Sequence, residues 1–111
     1  MDATARALAE PTRRRILQLV KDQERTVSEI AEDFSVSRPA ISQHLRVLQD
    51  AELVVVRSEG TRRFYRARPE GLAELARWMA EFWGDALAEL AVEAGREEWN
   101  RRKADREERN R

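Results

Sequence analysis

Between residues 37 and 46 the chain places Ser37, Arg38, Pro39, Ser42, Gln43 and Arg46, with no acid before Asp50. None of these groups is a good nucleophile or metal ligand. Their chemistry is recognition: a guanidinium offers a planar fork of donors, a carboxamide offers a donor beside an acceptor, and both shapes match base edges and phosphate oxygens. Covalent or metal chemistry lacks its parts. The chain has no Cys and one His, His44, so a thiolate, a Cys/His metal set and a Cys/His dyad are all excluded. With no Gly-rich phosphate loop and no acid pair in an apolar setting, the sequence reads as non-enzymatic, with no catalytic residue, no cofactor and no metal.

Two short helices are needed to present that row. Thr26 followed by Glu29 is a capping box that starts the first, and Val27, Ile30, Ala31 and Phe34 form its inward face. The pattern stops at Ser35-Val36-Ser37. Ser37 then serves as N-cap of a second helix, with Pro39 tolerated in the first turn. Ile41, Leu45 and Leu48 line one side of this helix, and Pro39, Gln43 and Arg46 lie roughly opposite, with Ser42 at the flank and Arg38 at the start. A helix facing only water would carry Glu among its Arg; a helix entering a major groove would not. Two helices, a tight turn and that outer face spell a helix-turn-helix.

Such patterns also arise by chance in helical proteins, so the next segment matters. Val54 to Arg57 and Arg63 to Ala67 read as strands joined by the turn Ser58-Glu59-Gly60-Thr61, a β-hairpin bearing Arg62, Arg63, Arg66 and Arg68. A basic hairpin directly after a recognition helix is a wing, assigned to the DNA backbone or minor groove through Arg62 and Arg63. The formal net charge of the 111 residues is zero, which by itself argues against a nucleic-acid partner. Its distribution argues the other way. Residues 35 to 68 carry seven Arg against three acids, a net of +4.

The remaining segments supply the frame. Residues 3 to 9 form a weak helix with a stripe through Ala5, Leu8 and Ala9, which needs a partner surface. Glu10-Pro11 ends it and Pro11 opens the next, with Ile16, Leu17 and Val20 inward. Arg13, Arg14 and Arg15 oppose the dipole of their own helix, so a phosphate contact or an acidic partner is expected for them. After Pro69 a long amphipathic pattern runs through Leu72, Leu75, Met79, Phe82, Ala86, Leu90 and Ala94, with Gly84 as a weak point. Trp78, Trp83 and Leu87 widen its stripe beyond what one small domain covers, which predicts a homodimer. The charged end, with Trp99 as its one large apolar residue, is compatible with a helix or with disorder.

Three stretches carry a family resemblance. Ala9-Glu10-Pro11-Thr12-Arg13-Arg14-Arg15-Ile16-Leu17, the run from Ser37 to Leu45, and Gly60-Thr61-Arg62-Arg63-Phe64-Tyr65 resemble the opening, recognition helix and wing of the ArsR/SmtB family of bacterial transcriptional regulators. The likeness covers residues 3 to about 94. It implies a dimeric winged helix, first and last helices at the interface, that represses a promoter by binding an inverted repeat. Family sensors hold metal through Cys, or through Asp and His on the last helix; a lone His44 cannot make such a site, so the resemblance is to the non-metal-sensing branch. His44 is assigned a structural or phosphate-contacting role.

The expected fold is mainly α with a small β-hairpin: a winged helix-turn-helix of about five helices plus a two-stranded wing. Residues 1–94 form the DNA-binding and dimerisation domain, and 95–111 a charged extension. The expected function is a sequence-specific DNA-binding regulator, a homodimeric repressor whose partners are double-stranded DNA and a second copy, met through Leu8, Leu72, Leu75, Met79, Phe82 and Trp83. No apolar run suits a membrane and no signal peptide is evident, so the cytoplasm is the expected compartment. A protein-interaction module on the same fold is the rival reading, favoured by the zero net charge and opposed by the basic middle.

Overall fold

The computed structural model describes residues 1–109, without the side chains of 85, 87, 88, 91–93 and 96–99. The order is α1 (Asp2–Leu8), α2 (Pro11–Leu19), α3 (Val27–Ala31), α4 (Arg38–Asp50), β1 (Val54–Glu59), β2 (Arg62–Ala67), a 3-10 turn (Pro69–Leu72), α5 (Ala73–Trp83) and α6 (Asp85–Arg109). Two compact units divide the chain, Met1–Leu75 and Ala76–Arg111. α5 buries none of its own residues. Among the described residues no helix is long and apolar enough to cross a membrane.

Ala7 from α1, Ile16 from α2 and Val20 at its C-cap, Ile30 from α3, Ile41, Leu45 and Leu48 from α4, and Leu53, Val54 and Tyr65 from the hairpin region form the core of the first unit. Those of α2, α3 and α4 come from the predicted inward faces, whereas no inward face is predicted for the hairpin. Burying such side chains contributes about 1.5–3 kcal/mol apiece and sets the rotation of every helix about its axis. α1 departs from expectation. It buries Thr4 and Ala7 and leaves Ala5 and Ala9 exposed, with Leu8 half-buried against the core. Two alanines carry too little apolar surface to choose the face, and contacts from α2 choose it instead.

Those contacts come from the arginines expected to meet phosphate or acids. Arg13 donates from Nε to the Ala7 carbonyl at 2.7 Å and from Nη2 to the Arg6 carbonyl at 3.0 Å, and Arg14 donates from Nη1 to the Leu8 carbonyl at 2.7 Å. The open carbonyls at the C-terminus of α1 attract these cations, so the preceding helix explains what their own helix could not. Arg15 lies over the Phe34 ring, 5.6 Å from its centroid. All three are held within the chain.

The hairpin is tighter than the sequence suggests. Antiparallel pairing runs from Val54 with Ala67 to Glu59 with Arg62, leaving only Gly60 and Thr61 as the loop. Gly60 takes a φ of +61°, the conformation a two-residue turn needs at its first position and one that glycine adopts without strain. The second strand is also tied to the start of α3. Arg25 and Tyr65 exchange backbone hydrogen bonds of 3.0 and 2.8 Å, and the Ala67 amide donates to the Val20 carbonyl at 2.9 Å. A two-stranded ribbon alone is marginal; this third backbone partner steadies it.

In the second unit the helical pattern breaks at Gly84, which has a φ of +55° and ends α5. The expected weak point is therefore a helix terminus. No described atom lies near enough to fill the place of a side chain there, so no close crossing depends on it. The charged end is helical through Arg109. Leu87 and Trp99 have side chains outside those described.

Candidate nucleic-acid interface

Local chemistry places both helices of the motif. The Thr26 hydroxyl accepts from the Glu29 amide and the Glu29 carboxylate accepts from the Thr26 amide, each at 3.3 Å, which completes the capping box. That carboxylate is held below its ordinary range, first by the Thr26 hydroxyl and then by the Thr26 amide. Ser37 Oγ accepts from the Ala40 amide at 3.3 Å and starts α4. Five residues, 32–36, stand between the end of α3 at Ala31 and Ser37, a spacing that lets the two helices share one core.

With Ile41, Leu45 and Leu48 buried, the opposite row of α4 faces out. Ser37, Arg38, Pro39, Ser42, Gln43 and Arg46 are all exposed. Neither Gln43 nor Arg46 has an intramolecular side-chain partner among the described residues. Arg38 is held by the Ser28 hydroxyl of α3, which directs its guanidinium along the start of the helix.

The wing tip lies beside that start. Arg38, Thr61, Arg62 and Arg63 share with Thr26 and Ser28 an open cleft of about 440 Å³. Strand pairing puts Arg62 and Arg63 on opposite faces of the ribbon. Arg63 has no partner among the described residues, whereas Arg62 lies 3.9 Å from the Glu29 carboxylate and 5.1 Å from the Phe64 centroid. Arg57 is committed elsewhere. It binds Glu24 through Nη2 at 2.6 Å and Nε at 3.2 Å, reaches Glu59 at 2.8 Å, and covers Phe64 at 4.6 Å. The Arg57 hydrogen bond is the main reason the Glu24 carboxyl is held below its usual range. This clamp joins the wing to the α2–α3 loop, a role not visible from the charge count of residues 35 to 68.

His44 stands behind the recognition surface, half-buried between α4 and α2. Its Nδ1 is 3.4 Å from Arg13 Nη1 and 3.8 Å from Glu10 Oε2. Burial pushes the Glu10 carboxyl upward, but the Arg13 amide and the cationic neighbours outweigh it and hold it low.

Known proteins share this arrangement. Residues 10–56 match the family described as bacterial regulatory protein, arsR family. The HTH-type transcriptional regulator Rv2034 of Mycobacterium tuberculosis is 47% identical over 90 residues, covering 81% of this chain and 84% of that protein. The chain belongs to the arsR family. The transcriptional repressor SdpR of Bacillus subtilis is 37% identical over 82 residues, covering 74% of this chain and 91% of the repressor. Among solved structures, the homodimeric winged helix-turn-helix DNA-binding domain Mb0332 of Mycobacterium bovis aligns with a TM-score of 0.60 at 32% identity, over 76% of this chain and 78% of that one. As an arsR-family protein the chain is a DNA-binding transcriptional regulator with a winged helix-turn-helix, and not an enzyme.

Proposed function

We propose that this regulator is a homodimeric repressor that binds an inverted-repeat operator in the cytoplasm. The observation that carries the reading is the two-sided character of α4: Ile41, Leu45 and Leu48 are sealed in the core while Gln43 and Arg46 stand free on the other side. Each recognition helix would enter a major groove, the two about 34 Å apart on one face of the duplex. Gln43 and Arg38 are assigned to base edges, Gln suiting adenine and Arg guanine. Ser37, Pro39, Ser42 and Arg46 border the same groove, and Arg62 and Arg63 take phosphate.

Dimerisation is supported by apolar surface that the single chain leaves open. Trp78, Phe82 and Trp83 are 45%, 65% and 53% exposed. Trp78 stacks on Phe82 at 5.4 Å and Phe82 meets Trp83 edge-on at 5.1 Å. A rigid aromatic cluster of this kind is costly in water and typical of a buried interface core. In the first unit Leu72 is also exposed and Leu8 and Leu75 are half-buried, and in the second Met79 is half-buried; all are assigned to contact with the second copy. The homodimeric state of Mb0332 agrees with this reading.

A gel shift of the purified protein on the DNA upstream of its own coding sequence, with sedimentation of the free protein, tests both parts. A discrete shifted band and a dimer at micromolar concentration are expected. A stable monomer, or binding that any DNA of equal length matches, would reject the proposal.

A further inference from the structure

Among the groups assigned to DNA, Arg38 is placed differently from the rest. It opens α4 beside the N-cap Ser37, and the first residues of a recognition helix are those that meet base edges. A guanidinium there opposes the dipole of its own helix, which gives it no local anchor. The anchor is on the other helix of the motif: Arg38 Nη2 donates to the Ser28 hydroxyl, ten positions earlier in α3. Gln43 and Arg46 have no such partner among the described residues.

The kind of anchor matters. Arg57 is held by Glu24 and Glu59, and Arg62 lies near Glu29, carboxylates that offset a charge as they orient it. A hydroxyl orients without neutralising. Arg38 therefore keeps its full charge, and a bond to one nitrogen leaves donors on the other two for a guanine edge. Ser28 is itself firmly placed, between the two ends of the capping box, Thr26 and Glu29, and two residues before the buried Ile30. Ser28 and Arg38 both line the open cleft that Thr61, Arg62 and Arg63 border from the wing, so their bond lies on the face offered to DNA.

We propose that Ser28 is a positioning residue for sequence reading: it holds the Arg38 fork in place before DNA arrives, and the base met by Arg38 is for that reason the most strictly required in the site. A long side chain loses rotamer freedom on docking, and one already held loses less; at ordinary costs per side chain the difference is about two- to tenfold in affinity. That gain falls on one base pair, because Ser28 bonds to none of the other reading side chains among the described residues. The inference rests on the proposed reading of α4 as the helix that enters the groove.

Selection of sites from a randomised duplex pool by the full chain, followed by anisotropy on the selected site and its single-base variants, tests the inference. The base pair whose preference Arg38→Ala abolishes marks the Arg38 contact. Ser28→Ala is expected to bind the selected site about two- to tenfold more weakly, with preference reduced at that base pair and unchanged elsewhere. Ser28→Thr, which keeps the hydroxyl, binds as the parent does. In an Arg38→Ala background Ser28→Ala has no further effect, because the two residues act as one unit. Ser28 is exposed, so the melting midpoint stays in place. A loss shared by all sequences would make Ser28 a phosphate contact. A lowered midpoint, or a loss that persists without Arg38, would make its role structural. Either result overturns the inference, as does full preference in Ser28→Ala or a Ser28→Thr that behaves like Ser28→Ala. A parent that selects no sequence rejects the regulator reading and this inference together, whereas a parent that selects a site while Ser28→Ala selects it equally well rejects the inference alone.

Discussion

Gly71 lies against the backbone carbonyl of Glu52, so close that a Cβ at position 71 would overlap that oxygen and press on the Leu53 side chain. Glu52 holds a φ of +60°, a left-handed conformation that costs a side-chain-bearing residue about 1–2 kcal/mol. Its amide donates to the Gln49 carbonyl and the Leu53 amide to the Leu48 carbonyl, both at 2.9 Å, so α4 ends in a Schellman motif with Glu where Gly is usual. The end of the recognition helix, the start of the wing and the 3-10 turn meet at this point.

Two substitutions at this junction are expected to act in opposite directions. Gly71→Ala forces overpacking against rigid backbone and lowers stability by about 1–3 kcal/mol. Glu52→Gly relieves the left-handed strain and raises stability by about 1 kcal/mol. Urea unfolding of both variants checks the pair; an unaffected Gly71→Ala midpoint would mean the contact yields easily.

Gln43→Ala is expected to weaken the preferred DNA site by about 1–3 kcal/mol and random DNA far less, because a bidentate amide reads a base edge. Gln43 has no role in the fold, so the thermal midpoint stays put. Fluorescence anisotropy on the two DNAs separates the losses. Equal losses would remove Gln43 from the reading set.

Arg63→Gln is expected to reduce the slope of log K against log salt by about 0.9, the value of one released phosphate counterion. Arg62→Gln gives a smaller change, because Arg62 already has Glu29 and Phe64 as neighbours. Titrations between low and physiological salt supply the slopes. An unchanged slope for Arg63→Gln would take the wing off the phosphate backbone.

The Glu24–Arg57 clamp predicts an acid-sensitive wing. Glu24 is lowered in the folded protein by the Arg57 hydrogen bond, so its contribution is present above the unfolded carboxyl pKa of about 4.3 and is lost as pH falls through the folded value. Glu24→Gln is expected to flatten stability against pH across that acidic range while leaving the neutral arm with only the lost ion pair. Melting temperatures of parent and variant from pH 3 to 7 check the sign. Parallel curves would show that the clamp contributes nothing.

Features set by short-range chemistry were readable from the sequence. Thr26 and Glu29, Ser37 and Pro39, and the Ile41-Leu45-Leu48 row each act within one or two turns of helix, so spacing alone located α3, α4 and the exposed row of α4. Features set by contacts between elements were not. Arg13 and Arg14 cap a helix that precedes their own, the Glu24–Arg57 pair spans 33 positions, and the Arg25–Tyr65 bridge joins a loop to a strand. Gly71 gave no local sign, since it matters only through the carbonyl it faces. Gly84 was visible as a weak point, but whether a glycine bends or ends a helix depends on a φ that sequence does not state.

Hydroxyl-radical footprinting of the protein on a genomic fragment it retains tests the central claim most directly. Two protected patches about one helical turn apart on the same face of the duplex, related by the symmetry of the sequence and both lost in Gln43→Ala, are the predicted result. A single patch, or protection that spreads evenly along the fragment and survives Gln43→Ala, would contradict a paired recognition helix as the reader of the operator.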